Sequence, residues 1–422
     1  MLEHAQAVVD ALQRFEFAYP FVMGGVWVAG ALFFWWFEER RAGTSLGPPL
    51  PSPCPRVAVI VPCHDEAPQI AETIRALREL RYPDYEIVAV DDGSTDETGR
   101  ILESLAGHDP RFRVVRLRVN QGKAAALRAG VASTTAEYVI CIDGDALLEE
   151  DAVGWMVHAL TASDDTGAVT GNPRIRSRST SLGRLQVGEF STLVGLIKRA
   201  QMVLGYLFTV SGVVCGFRRR ALADVGYWRS DVLTEDVDVT WRLQLAGWRV
   251  RFEPRALCWI LTPETLRGLW RQRLRWATGS VQVFLGCLPR LLRWRSRGMW
   301  MMVGEYLMST AWAFVAVTLT AIWLAALLPG VSLPVSVGGL VPGEWGLMLG
   351  AIFLLQVAVG MALDRRYEPG VERYLPSVIG YPFAFWMLMA LTVVVALPRA
   401  LLRGRGRPAI WVSPDRGLSR NP

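Results

Sequence analysis

Three acidic groups stand in order along the middle of this chain: Asp91-Asp92-Gly, Asp143-Gly-Asp145 and Thr234-Glu235-Asp236. Two carboxylates on one tight turn, Asp143 and Asp145, suit a hard divalent cation bound through oxygen, Mg²⁺ or Mn²⁺. Such a cation would neutralise a diphosphate as it leaves. Asp-x-Asp turns are common on surfaces; this one is set apart by following an apolar strand downstream of Asp92. Asp92 can accept hydrogen bonds from a nucleotide base or ribose, while Ser94 or Thr95 beside it would cap a helix. Asp236 opens a helical stretch over 237–246, where the helix dipole favours acids. A carboxylate there can also take the proton of an attacking sugar hydroxyl. One base and one metal site form a different inventory from the carboxylate pair of a glycoside hydrolase.

Cations and an aromatic complete the set. Of 45 Lys plus Arg, only Lys123 and Lys198 are lysine. Lys123 lies in Asn120-Gln-Gly-Lys, and a compact ammonium there suits a phosphate or uracil contact where a guanidinium is too bulky. Gln272-Arg-Leu-Arg275-Trp276 supplies an amide, a guanidinium that can pair with diphosphate, and an indole face for a sugar ring. Arg174, Arg176 and Arg178 alternate, so an extended segment would show them on one face, as an anion site or as a solvated basic strand.

The elements that must carry these residues alternate. Strand-like runs at 57–61, 86–90, 113–117 and 138–142 are separated by helical stretches ending near Leu80, over 95–105 and over 122–131. This predicts an α/β fold with an open, mostly parallel sheet. Ligands bind such sheets beyond the carboxyl ends of the strands, where Asp65, Asp92 and Asp143 all fall. Over 264–289, Leu266, Leu269, Trp270, Leu274, Val281 and Leu288 share a helical face while Arg267, Arg271 and Arg275 share another. That pattern suits a basic amphipathic helix in the membrane interface or a helix packed on the soluble domain, with breaks suggested by Gly279 and Pro289.

Four charge-free apolar runs, 17–37, 306–328, 345–363 and 375–397, are each long enough to span a bilayer. The first is too long for a cleaved signal and reads as a retained anchor. Hydrophobic residues make up 51% and mean hydropathy is +0.25, too high for a soluble enzyme and too low for an all-helical transporter. Arg40 and Arg41 follow the first run; Arg290, Arg293, Arg295 and Arg297 precede the second. By the positive-inside rule the central domain is cytoplasmic and residues 1–16 lie outside. Three later crossings would put the tail outside too, against its Arg399, Arg403, Arg405 and Arg407; a re-entrant or interfacial last run would resolve the conflict. The net charge of +6 gathers at membrane edges, which points to anionic lipid and nucleotides and away from nucleic acid. Six scattered cysteines and four histidines show no metal spacing. The divisions are an anchor segment (1–41), a proline-rich linker (42–55), a catalytic domain (56–263), amphipathic interface helices (264–298), a membrane region (299–401) and a basic tail (402–422).

The ordered set Asp92, Asp143-x-Asp145, Thr234-Glu-Asp236 and Gln272-x-x-Arg275-Trp276 resembles the processive membrane family 2 glycosyltransferases. Longer stretches are similar to that family's bacterial poly-β-1,6-N-acetyl-D-glucosamine synthases: Cys141-Ile-Asp-Gly-Asp-Ala-Leu-Leu148, Ala168-Val-Thr-Gly-Asn-Pro-Arg-Ile-Arg176, Gly195-Leu-Ile-Lys-Arg199, Arg255-Ala-Leu-Cys-Trp-Ile260 and Trp411-Val-Ser-Pro-Asp-Arg-Gly417. The resemblance implies a GT-A type, Rossmann-like domain flanked by transmembrane helices in a bacterial inner membrane. It implies UDP-N-acetylglucosamine as donor and inverting β-1,6 transfer to a growing polysaccharide that leaves through the enzyme's own helices into a biofilm matrix. Asp65, Asp92, Lys123, Asp143, Gln272 and Arg275 would bind the donor, Asp145 the divalent cation, and Glu235 and Trp276 the acceptor; Asp236 would be the base. A small membrane accessory subunit and cyclic di-GMP are the partners it implies. One departure stands out: the group usually has two spans before the catalytic domain, and one is legible here.

Overall fold

The computed structural model describes residues 2–40, 47–107, 109–338, 344–379, 382–403 and 409–410. A single eight-stranded sheet forms the catalytic domain: β1 (Val57–Cys63), β2 (Tyr85–Asp92), β3 (Phe112–Leu117), β4 (Tyr138–Ile142), β5 (Leu147–Leu148), β6 (Thr166–Ile175), β7 (Val214–Arg218) and β8 (Arg249–Ile260). Their order is β3-β2-β1-β4-β7-β6-β8-β5. The first four pair in parallel, as the alternation predicts. β7 then runs antiparallel to both β4 and β6, and β5 antiparallel to β8, so the second half of the sheet is mixed. β1 and β2 are buried at every position, the mark of strands covered on both faces.

Helices α2 (Ile70–Arg78), α3 (Thr98–Ala106), α4 (Lys123–Ala132) and α5 (Ala152–Thr161) cover the sheet. Next come α6 (Ser181–Phe190), α7 (Ile197–Val203), α8 (Arg219–Asp224) and α9 (Glu235–Leu245), with a π-helical turn joining α6 to α7. Neither Ser94 nor Thr95 caps α3. Asp96 does that work, its Oδ1 accepting from the Thr98 amide at 2.9 Å.

α10 (Leu266–Leu291) is one continuous helix through both Gly279 and Pro289. Arg267, Arg271 and Arg275 do lie on its exposed face. Its other face is buried: Leu269, Leu274 and Val281 are covered, and Arg273 is buried with them, paired to buried Glu189. The helix therefore lies between the catalytic domain and the long apolar helix Pro382–Leu402, which is its most extensive neighbour, and a short 3-10 turn (Trp294–Met299) completes the stretch expected to hold several interface helices.

Among the described residues, four helices are long and apolar enough to cross a membrane: Leu2–Glu39, Trp294–Ala326, Gly346–Asp364 and Ala384–Leu402. The first comprises α1 (Leu2–Phe34) and a π-helical turn; it starts well before the apolar run. The second contains α11 (Trp300–Ala326); the third and fourth lie within α12 (Glu344–Asp364) and α13 (Pro382–Leu402). Near the start of α1, Gln6 and Gln13 donate to the carbonyls of Ser336 and Gly338 in the α11–α12 loop. That end of α1 and that loop thus share one end of the bundle. The other ends of α1 and α12 meet the catalytic domain through buried ion pairs. Arg199 of α7 takes Glu39 at 2.5 Å and Asp364 at 2.9 Å; Arg174 of β6 takes Asp364 and Glu368.

Those pairs correct two sequence expectations. Arg174 is neither an anion site nor solvated; it is buried, and Arg178 joins it on Glu368. Arg176 turns away to Glu72 because β6 has ended. The last apolar run is also shifted, since 371–378 forms a 3-10 helix against α6 and only 382–402 is the long helix. Beyond α13, the Ala409 amide donates to the Ser230 carbonyl at 2.8 Å. Ala409 is thus back on the catalytic domain, which relieves the charge conflict of three full crossings. The Trp411–Gly417 motif, Arg405 and Arg407 lie outside the described residues.

Candidate active site

The acids gather at the carboxyl ends of β1, β2 and β4. Asp65 follows β1 in a left-handed conformation, φ 53°, one that Asp tolerates better than most residues. Its Oδ1 accepts from the Thr95 amide at 2.7 Å and the Asp96 amide at 3.3 Å. Burial pushes its pKa up, but these amides and His64 outweigh that and hold it below the usual range. Asp92, the last residue of β2, is fully buried. Its oxygens accept from the amides of Gln121 (2.9 Å) and Gly122 (2.7 Å). It thereby shapes the Asn120–Lys123 turn. His64 braces the same turn: Nδ1 meets the Asp92 carbonyl at 3.0 Å and Nε2 the Asn120 amide nitrogen at 2.9 Å. Sequence reasoning passed over His64, because a lone histidine carries no spacing signal.

Gly122, at φ +91°, sets Lys123 at the start of α4. A Cβ there would also stand 2.1 Å from the Ala409 carbonyl oxygen, so the Ala409–Ile410 backbone lies directly over this turn. Lys123 is the hub of the site. Its Nζ donates to Asp143 Oδ1 at 2.5 Å and to the Gly212 carbonyl at 2.9 Å, and stands 3.5 Å from Glu235 Oε1. Burial disfavours its charge, yet Asp143 and Glu235 more than compensate and raise its pKa.

Asp145 is buried, and burial followed by the charge of Asp143 raises its pKa to about 7. A carboxyl under that pressure gains most from a nearby cation. Among the described residues no three His, Cys, Asp or Glu side chains converge on one point. The Asp143–Asp145 turn therefore fits a cation that takes one or two protein carboxylates and completes its shell with substrate phosphates. Asp236 accepts from the Gly212 amide at 3.2 Å and from the Val237 amide at 2.9 Å. Burial, then the adjacent Glu235 charge, raises it to about 6 against the pull of Lys123 and Arg275.

The segment before α9 docks on α10 at Gly279, where a Cβ would stand 2.4 Å from Thr234 Oγ1. The glycine expected to break this helix instead admits the acidic loop. One turn before it, Arg275 is exposed and its charge reaches Asp236. Gln272 Oε1 is buried with no hydrogen-bond partner among the described residues. Trp276 is half-buried; one face stacks under the Arg273 guanidinium at 4.1 Å, which leaves only the other for a ligand. The structure thus joins Asp143, Lys123, Glu235 and Asp236 through one ammonium and the Gly212 peptide, with Asp145 and Arg275 coupled to them electrostatically.

The glycosyl transferase family 2 pattern matches residues 58–226. The chain is 35% identical over 408 residues to the poly-beta-1,6-N-acetyl-D-glucosamine synthase of Staphylococcus epidermidis, covering 96% of this chain and 98% of that one. With the enzyme of the same name from Staphylococcus aureus strain COL, identity is 34%, covering 96% and 99%. A solved mannosyltransferase from Pyrobaculum calidifontis, in complex with GDP-Man and Mn²⁺, superposes with TM-score 0.62 at 23% identity, covering 95% and 99% of the two chains; it supports the GT-A-like fold. This chain is a membrane glycosyltransferase of family 2 and belongs to the group of poly-β-1,6-N-acetyl-D-glucosamine synthases.

Proposed function

We propose that this enzyme polymerises N-acetylglucosamine from UDP-N-acetylglucosamine into a β-1,6-linked chain and passes it across the bacterial inner membrane. The observation that carries the mechanism is the Lys123 bridge, which brings the Asp-x-Asp turn and the Thr-Glu-Asp loop into one cleft. Asp65, Asp92 and the turn before Lys123 receive the nucleotide. Asp145, with Asp143 beside it, would hold a divalent cation, Mg²⁺ or Mn²⁺. When bound, that ion supplies Lewis-acid stabilisation of the departing diphosphate. Arg275 adds positive charge on the same side and Gln272 a free carbonyl acceptor. Asp236, kept ionised by Lys123 against the effect of burial, takes the proton of the acceptor hydroxyl as it attacks the anomeric carbon. Glu235 and the free face of Trp276 hold the acceptor end. The leaving diphosphate needs no proton, so one base suffices.

The basic flanks place the catalytic domain in the cytoplasm, and the return of Ala409 to it supports a tail on that side. A small membrane accessory subunit and cyclic di-GMP belong to this reading as regulatory partners. Membranes containing the enzyme, given labelled UDP-N-acetylglucosamine with Mg²⁺ or Mn²⁺, should yield a long polymer degraded by a β-1,6-N-acetylglucosaminidase. A product cut only by cellulase, chitinase or hyaluronidase overturns the sugar and linkage assignment.

A further inference from the structure

The chain's only two lysines converge on one loop. Lys123 holds the Gly212 carbonyl from the donor side. From the opposite side, Lys198 of α7 donates to Ser211 Oγ at 2.6 Å and to Thr170 Oγ1 at 3.1 Å. Thr170 Oγ1 in turn accepts the Ser211 amide at 2.8 Å. The next amide, that of Gly212, is the one that points at Asp236 Oδ2. Lys198 is buried, and among the described residues it has no carboxylate within ion-pair distance. Both the hydroxyls it touches are neutral. A buried lysine without a partner carboxylate costs stability, and a methionine would fill the same slot more cheaply. Its neighbour Arg199 shows what the alternative looks like: that guanidinium turns the other way and is fully paired.

We propose that Lys198 is a positioning residue for the transfer step: it clamps Ser211 from behind, keeps the Gly212 amide aimed at Asp236, and adds a further positive charge near the base. This rests on Asp236 being the base. The groups facing the pair are few. Asp236 of α9 and Cys215 of β7 act on Lys198; Glu235, Lys123 and Arg275 act on Asp236. Burial draws Lys198 down to about 7, opposed by the Asp236 charge, so each charge favours the other.

The test compares Lys198→Met, Lys198→Arg, Ser211→Ala and Asp236→Asn in the full-length enzyme in detergent. The readouts are kcat and KM for UDP-N-acetylglucosamine from pH 5 to 9, and UDP binding by calorimetry. Lys198→Met should lower kcat at pH 7 by about tenfold to a hundredfold, leave KM and UDP affinity within about twofold, and shift the acid limb of kcat upward by about half a unit or more. Lys198→Arg keeps the charge and should keep the limb in place. Ser211→Ala cuts the clamp but keeps the charge: kcat should fall at constant KM with no shift of the limb. A Lys198→Met loss that is equal at every pH, or one that tracks UDP affinity, overturns the proposal. So does wild-type kcat in Ser211→Ala, which decides the matter even if Lys198→Met does not fold. Turnover that survives in Asp236→Asn removes the base assignment itself, a failure separate from that of the clamp.

Discussion

Replacing Gly279 by alanine should slow the enzyme far more than it destabilises it. The new Cβ would stand 2.4 Å from Thr234 Oγ1, 2.5 Å from its Cγ2 and 2.9 Å from its Cβ, whereas ordinary contact begins at 3.4 Å. Thr234 is short and β-branched, so no rotamer clears the clash and the backbone must retreat by about 1 Å. Overpacking of this kind costs roughly 1–3 kcal/mol. Replacing a mid-helix glycine by alanine returns about 1 kcal/mol. The net loss is about 0–2 kcal/mol. Thr234 leads directly into Glu235 and Asp236, and a displacement near 1 Å in a reacting group costs about a hundredfold in rate. Incorporation of labelled sugar should therefore drop about a hundredfold, while the melting temperature in detergent moves only a few degrees. Wild-type kcat in a folded Gly279→Ala enzyme refutes the reasoning; so does a melting point so low that unfolding alone explains the loss.

Four further outcomes follow from the same geometry. Asp236→Asn removes the acceptor of the hydroxyl proton, so turnover should fall at least about a hundredfold to ten-thousandfold with UDP affinity retained; parallel loss of both, measured by calorimetry, counts against the base role. Burial and Glu235 raise Asp236 to about 6, and below that pH the protonated carboxyl cannot accept; kcat should be level above about 6 and fall as pH drops through it, and a flat acid side contradicts the assignment. Asp364→Asn strips a charge from buried Arg174 and Arg199 and should cost roughly 3–5 kcal/mol, seen as a large drop in melting temperature; an unchanged melt shows the cluster to be unimportant. Gly122→Ala meets both a φ of +91° and the Ala409 carbonyl, so the tail should lift and be cut faster by protease, and unaltered cleavage places the tail elsewhere.

Asp65, Asp92 and Asp143 were legible because each closes or follows a continuous apolar strand, and a buried parallel strand announces itself by composition. Lys123 was legible by rarity. Lys198 shares that rarity and lies in the Gly195–Arg199 stretch that carries the resemblance, but nothing in that stretch gives it a role; only the fold brings it behind Ser211. Arg174, Arg176 and Arg178 misled because alternation predicts a shared face only while the strand lasts, and β6 stops at Ile175. Gly279 misled for a related reason. Helix propensity reads a glycine as a weak point, whereas here the missing side chain makes room for Thr234. Hydropathy merged 375–397 into one span because it does not register where a 3-10 turn ends and a helix begins. The carboxylate partners of Arg199 come from residues more than 150 positions away in sequence, beyond any local rule.

Lys198 and Arg199 are consecutive, and they grip opposite things. One steadies the loop beside the base; the other anchors the inner ends of α1 and α12. The reaction centre and the lipid-embedded scaffold are thereby riveted to each other, with no hinge between them at this point. Rocking one body against the other would tear several buried charges apart at once. During elongation, then, the sugar strand is the moving part, threading past a stationary frame as each new unit is joined behind it.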